Sequence, residues 1–370
     1  RCTEAEYSAG INFSARNFPA LSTRLPRRKL RETAELNGMY HLNGLLMVCG
    51  TRLIYTPDDP DELEVTLENA VKDGKKTLVG IGTKILIFPD KLAFDTVSRE
   101  VSALGAVWSG ANASVEFAPC DAEGRVYEVS GSGPSEPENP KDGQLFLRVE
   151  DPEKPWSSES TLEVYSEASG NWSAVVLDCC RISAKGVGAN FRAEDTVALS
   201  GSGSEQPGQW SGLDGDRIVY DAGADALRVK ADPGGEWFYG RLTRTGAAVR
   251  WVSLDGSVRR EFVSAETVRL ERRVPDMDYL TECDNRIWGC SSKENVIYAC
   301  KLGDPSNWFS YRSIAADSYA VTVGSDGAFT GAATCMGYAL FFKENTLHKL
   351  YGSKPSDFQL SSLRCRGVAK

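Results

Sequence analysis

The sequence predicts an all-β protein made of repeated four-stranded sheets, interrupted by an inserted β region. Three observations carry this. Short apolar runs joined by tight polar connectors recur near both ends of the chain. With 35 glycines and 16 prolines, roughly one residue in seven is a turn former. Helical periodicity is scarce, and "LENAVKDG" (67–74) is the best short helix candidate, in competition with a strand.

The repeat is clearest late in the chain. "NRIWGCSSKENVIYACKLGDPSNWF" (285–309) and "GYALFFKENTLHKLYGSKPSDFQL" (337–360) share an apolar run, Lys-Glu-Asn, a second apolar run, then Pro-Ser-x-aromatic. Fainter copies lie at 43–63, with Pro60-Asp61-Glu62-Leu63 in the turn, and at 81–94, which keeps the hairpin but not the proline corner. Four strands recurring every 40 to 50 residues are the signature of β-propeller blades, because a lone blade cannot bury both faces.

Taken in order, residues 1–30 read as an extended arm, whose stretch 11–30 has two prolines and five basic residues, Arg16, Arg24, Arg27, Arg28 and Lys29. The last four are candidate contacts to nucleic acid or an acidic partner. Residues 31–106 hold blades 1 and 2, the first as strands at 38–42, 45–49, 52–56 and 63–67. Residues 107–273 lose the repeat and read as one or two inserted β domains, with strands at 144–149, 160–165, 173–177, 196–199, 216–220, 226–230, 248–252 and 267–270. Residues 274–370 hold blade 3 (279–283, 286–290, 296–301, 308–312) and blade 4 (331–336, 338–343, 346–351, 358–363). Proline fixes φ and removes a donor, so Pro60, Pro305 and Pro355 end their strands. Trp308, Phe358 or Leu63 then pins each corner to apolar surface.

Composition excludes several functions. A net charge of −9 argues against a broad nucleic-acid grip, though not against a local basic patch. No apolar run approaches the roughly 20 residues of a membrane span. The chain opens at Arg1 without a signal-peptide pattern, which reads as a piece of something longer. Ten cysteines include no CxxC, and only His41 and His348 could supplement them, so a zinc site is not expected. The thiols read as reduced and mostly buried, with a Cys283–Cys290 hairpin disulfide left open. "GVGANF" (186–191) reads as a glycine pair at a turn rather than a phosphate loop. The carboxylates Asp58, Asp59 and Asp61, and Asp214 and Asp216, read as solvated turns, with Asp214-Gly215 a hairpin. Both histidines read as packed or surface residues. No paired carboxylates or nucleophile–His–acid set stand out, so no catalytic residue, cofactor or metal is expected.

The paired stretches "DNRIWGC…NVIYACKLGDPSNW" and "ALFFKENTLHKLYGSKPSDF", with the opening "FSARNFPALSTRLPRR", resemble structural proteins of tailed bacteriophages and prophages. The resemblance is to the propeller-type tail hub or nozzle proteins of short-tailed phages, and is best over 276–359. It implies a non-enzymatic virion component, made in the bacterial cytoplasm and joining other tail proteins in a ring homo-oligomer that DNA passes. The resemblance implies no catalytic residues. Four blades fall short of a usual ring of six to eight, which places further blades beyond Lys370. The alternative is a carbohydrate-binding or glycan-cleaving propeller, for which exposed Trp288, Trp308, Trp237 and Trp251 would supply stacking rings. A third reading is a bacterial protein–protein scaffold.

Overall fold

A computed structural model describes residues 13–17, 20–23, 31–33, 35–155, 159–202, 213–231 and 239–365. Among them there is no α-helix. The arm holds β1 (Phe13–Asn17) and β2 (Ala20–Thr23), paired antiparallel, so this part is a hairpin rather than the extended segment expected.

Blade 1 comprises β3 (Leu36–His41), β4 (Gly44–Cys49), β5 (Arg52–Pro57) and β6 (Val65–Leu67). Blade 2 comprises β7 (Thr77–Ile81), β8 (Lys84–Phe88), β9 (Leu92–Asp95) and β10 (Val101–Ala103). The insertion then supplies β11 (Ala106–Ser109), β12 (Ser114–Pro119), β13 (Ser132–Gly133), β14 (Leu145–Arg148), β15 (Thr161–Ser166), β16 (Asn171–Ala174) and β17 (Cys179–Ser183). It continues with β18 (Thr196–Ser200), β19 (Gly215–Gly223), β20 (Ala226–Lys230), β21 (Gly240–Thr245), β22 (Ala248–Ser253), β23 (Arg259–Val263) and β24 (Arg269–Arg272). Blade 3 is β25 (Tyr279–Cys283), β26 (Arg286–Ser291), β27 (Val296–Ala299) and β28 (Tyr319–Thr322). Blade 4 is β29 (Phe329–Cys335), β30 (Tyr338–Lys343), β31 (Thr346–Tyr351) and β32 (Gln359–Arg364).

Each blade is a four-stranded antiparallel meander. In blades 3 and 4 the first hairpin turns through two residues with positive φ, Asp284-Asn285 and Met336-Gly337, the conformation whose twist matches the flanking strands. Alternation gives every blade a backward face toward its predecessor and a forward face toward its successor. Leu46, Val48, Leu53 and Tyr55 of blade 1 meet Ile85, Ile87 and Phe94 of blade 2. Leu86, Phe88 and Ala93 of blade 2 meet Leu280, Ile287 and Tyr298 of blade 3. Trp288, Cys290 and Ile297 of blade 3 meet Phe329, Ala339 and Phe341 of blade 4. The first strands β3, β7, β25 and β29 touch in that order along one edge, so the blades are stacked radially as propeller blades.

Blades 2 and 3 are neighbours although the insertion separates them in sequence. The reason lies in its ends: β11 pairs antiparallel with β24, so the chain leaves and re-enters side by side. Its main sheet has ten strands in the order β11-β24-β18-β19-β20-β17-β12-β21-β22-β23. Long β19 joins two halves, pairing with β18 through its first residues and with β20 through its last, past a bulge. A single apolar cluster including Phe117, Ile182, Val197, Leu227, Leu242 and Trp251 fills this body. A smaller four-stranded sheet, β13–β16, accompanies it. Gly188 of the glycine pair lies so close to β19 that a Cβ there would sit 1.9 Å from the Gly223 carbonyl oxygen.

Several expectations need correction. The fourth strand of blade 3 is Tyr319–Thr322, not 308–312. Arg286 holds the intervening segment, donating to the carbonyls of Cys300 (2.8 Å) and Ala315 (2.7 Å). Residues 68–74 form turns rather than a helix, with Val71 buried against blades 1 and 2. In the insertion, strands β11, β12, β13, β17, β21 and β23 went unpredicted. Asp214 is no hairpin turn: its carboxylate accepts from the Gly201 amide at 3.0 Å and the Ser202 amide at 2.8 Å, closing a long connection.

Candidate functional site

The connection between third and fourth strands is where the blades differ chemically, and in three blades it reaches backward. In blade 2, Arg99 crosses to blade 1, 5.3 Å over the Tyr55 ring, with Nη2 2.5 Å from Glu62. In blade 3, Trp308 is fully buried against blade 2 and donates its Nε1–H to the Pro305 carbonyl at 2.7 Å. In blade 4, Phe358 stacks edge-on to Trp288 and Tyr319 of blade 3, each 5.1 Å away. Leu63 of blade 1 is 84% exposed, so its expected pinning role is not fulfilled among the described residues.

The blade 3 corner has a second partner. Asn307 is buried; its Oδ1 accepts from the Thr196 amide at 2.9 Å, and its Nδ2 donates to Asp195 (3.1 Å) and Asp304 (2.7 Å). Buried Asp195 in turn pairs with Arg272 at 2.5 Å, and Arg272 donates to the Leu104 carbonyl at 3.1 Å. Arg192 bridges outward to Asp304 at 2.7 Å. Burial pushes the Asp304 carboxyl up, but the Asn307 amide and the Arg192 charge outweigh it and hold the group below its usual range. Arg312 and Lys301 both bind Glu194, which is likewise held low, first by the Arg312 hydrogen bond. Gly-Asp-Pro-Ser-Asn-Trp is therefore a double-sided corner: tryptophan to blade 2, asparagine to the insertion.

Chemistry-bearing groups also meet at the seam of blades 3 and 4. Lys343 is buried at the end of β30, its Nζ 2.5 Å from Asn295 Oδ1 and 2.7 Å from the Ser325 carbonyl. His348 is buried beside it, with Nε2 2.7 Å from Ser325 Oγ and Nδ1 2.8 Å from Ser362 Oγ. Burial first, and then the Lys343 charge, push the imidazole pKa down and keep it neutral. Neither nitrogen has a carboxylate to orient it, so the geometry joins two blades rather than forming a nucleophile–His–acid set. His41, by contrast, is on the surface, 2.9 Å from Asp58.

Of the residues singled out from sequence, Arg24, Arg27, Arg28 and Lys29 lie outside the described residues. Pro60 is exposed, Pro305 buried and Pro355 half-buried. Trp288, Trp308 and Trp251 are buried, so none is a ring on which a sugar could stack; Trp237 lies outside the described residues. Cys283 faces Arg286 and Cys290 faces Tyr279, and neither is in a disulfide. Among the described residues no group of His, Cys, Asp and Glu could hold a metal, and no helix is long and apolar enough to cross a membrane. Arg99, Asp195 and Arg272 were missed. "DTVSRE" lacks a proline signal, and nothing local marks an arginine that answers a carboxylate in another sheet.

The forward face of blade 4 bears Tyr338, Leu340, Phe342, Leu347, Lys349, Tyr351 and Leu363, half-buried or exposed. Tyr338 and Tyr351 lie edge to face at 5.2 Å, with Lys349 Nζ 3.6 Å and 4.5 Å from their ring centres.

No protein-family model matches the chain, and no curated protein matches it in sequence. Among solved structures, AztD of Citrobacter koseri is 9% identical with a TM-score of 0.19, covering 94% of this chain and 89% of that one. Kluyvelomyces marxianus Hsv2 is 10% identical with a TM-score of 0.17, covering 88% and 96%. BBS1N, solved in complex with ARL6DN, is 10% identical with a TM-score of 0.17, covering 89% and 82%. Likenesses this weak carry no argument; the propeller reading stands on the sheets and seams themselves.

Proposed function

We propose that this chain is a non-catalytic structural component of a tailed phage or prophage virion, a tail hub or nozzle module that assembles through its blades with other subunits. One observation supports it above others: the forward face of blade 4 is apolar and aromatic, and no described residue covers it as a blade would. Soluble monomers rarely leave a face of this kind open unless it serves a contact. The buried lock between insertion and blade 3 adds rigidity, which suits a part that bears load rather than one that closes around a substrate. The repeats' resemblance to hub and nozzle proteins supplies the particle. DNA passes such a module, and net charge −9 favours sliding over retention.

Labelling the protein in purified particles and imaging them by electron microscopy tests this. The expected result is label at the tail end of the particle, with low-salt DNA retention by the isolated chain weak. Particles that lack the protein would overturn the proposal.

A further inference from the structure

Blade 3 places far more chain between its third and fourth strands than the other blades do. The connection runs over 300–318, against 58–64, 96–100 and 352–358 in blades 1, 2 and 4. Residues 300–309 include the double-sided corner, and residues 310–318 form a separate closed loop beyond it.

The ends of this loop are tied together. The Ser318 amide donates to the Ser310 carbonyl at 2.9 Å, and Ser318 Oγ accepts from the Ser310 amide at 3.2 Å. Its middle is filled by the buried Asp317 carboxylate, which accepts from the Arg312 amide, from the Ile314 amide at 3.0 Å and from Ser310 Oγ at 3.3 Å. Buried Arg286 donates to its Ala315 carbonyl at 2.7 Å. Compact closed loops on a rigid scaffold are frequent sites of recognition. Fixed as it is, this one leaves Tyr311 55% and Ile314 45% exposed.

A groove of about 460 Å³ runs between this loop and the blade 4 corner. Ile314 and Ala315 line it from the loop, Pro355 and Ser356 from the corner, and Tyr319 and Ala320 from β28. Lys354 lines it too, exposed and with no ion pair among the described residues. Asp357 beside it is engaged by the Ser353 and Lys354 amides, and Asp317 is engaged within the loop. Among the described lining residues, Lys354 is thus the charge left uncommitted.

We propose that this groove binds an acidic peptide segment of a partner protein. An apolar side chain of the peptide lies against Ile314, Tyr319 and Pro355, and a neighbouring Asp or Glu carboxylate meets Lys354 Nζ. The lining favours a peptide over a sugar. A sugar's many hydroxyls must each find a partner on burial, and the groove offers serine hydroxyls and one ammonium, with no free carboxylate or side-chain amide. An apolar side chain needs only the walls. The preformed loop keeps the cost of ordering low on binding. The inference rests on the assembly reading above for the partner's being a protein, but not on the particle in which assembly takes place.

Affinity selection from a random peptide library against the full chain tests it, the selected peptides then being titrated by fluorescence polarisation. The expected peptides carry an apolar residue beside Asp or Glu, and their affinity falls at least about tenfold in Ile314→Glu and in Lys354→Glu. Both side chains are exposed, so both variants retain the wild-type thermal midpoint. Charge reversal sharpens the test: Lys354→Glu regains affinity for the same peptides once their Asp or Glu is replaced by Lys. No enrichment, peptides without an acidic preference, affinity indifferent to either substitution, or an oligogalacturonate bound in their place would each overturn the proposal. None of these outcomes touches the location of the protein in a particle, which the labelling experiment reads separately.

Discussion

Blades 3 and 4 share their letters and differ in what those letters do. Lys293-Glu294-Asn295 forms an open connector between β26 and β27, with Tyr298 Oη donating to Glu294 at 2.5 Å. In blade 4 the connector is shorter, so Lys343 falls inside β30 and is buried, its ammonium reaching back to Asn295 of the earlier copy. The corners diverge in the same way. Asn307 is buried between two domains, while its counterpart Asp357 is exposed and caps its own turn, accepting from the Ser353 and Lys354 amides at 2.8 and 2.9 Å. A repeat thus specifies a backbone path and an orientation for each side chain. What the side chain is worth depends on whether a neighbour has been supplied.

One severe way to break the comparison is at the blade 3 lock. Arg272→Ala leaves buried Asp195 with only the half-exposed Arg192, 3.4 Å away, as cation, and a loss of about 3 kcal/mol is expected in denaturant unfolding. Asp357→Ala in the blade 4 corner, which frees only exposed amides, should leave the midpoint close to wild type. Next come the corner pins. Trp308→Ala removes a fully buried ring and should cost about 3–5 kcal/mol. Phe358→Ala, half-buried, should cost less, and Leu63→Ala almost nothing in the single chain. An order other than Trp308, Phe358, Leu63 would mean that corners do not gain their worth from the preceding blade.

A smaller effect separates the two lysines. Lys343→Ala strands the Asn295 and Ser325 acceptors and should cost about 1–3 kcal/mol, against less than about 0.5 for Lys293→Ala. The smallest effect is on pH. The His348 pKa is lower folded than unfolded, so the unfolded chain binds the extra proton first. The stability its neutral form contributes is complete above about pH 6.5 and is lost as pH falls below that value toward the folded pKa. Thermal midpoints measured between neutral and mildly acidic pH should therefore fall more steeply in wild type than in His348→Gln.

The strands of blades 1 and 4 and the first three of blade 3 were legible because alternation and hairpin chemistry act over a few residues. "CDNR" declares its turn through Asp284 and Asn285, and "CMGY" through Gly337, residues that tolerate positive φ. Blade 2 was half legible: its hairpin showed, but its corner ends in Arg99, whose partner is an aromatic ring in another sheet. The insertion was the least legible. Its ten-stranded sheet pairs segments far apart in sequence, as where Ser114 on β12 faces Thr245 on β21, and no local pattern announces such a register. The fourth strand of blade 3 was misplaced for a related reason. Trp308 follows a proline corner like Phe358, yet a longer segment stapled by Arg286 delays the strand to Tyr319.

The sequence by itself determined that the chain is all-β, that four copies of a blade flank a different β region, and where most hairpins turn. These follow from side-chain alternation and turn residues, which depend on the backbone's nearest neighbours. Only the tertiary structure decided what each copy touches. Asn307 meets Asp195 across 112 residues, Lys343 meets Asn295 across 48, and Leu63 meets no described residue that buries it. Burial and hydrogen bonding are properties of surroundings, and identical letters acquire different energies when the fold surrounds them differently.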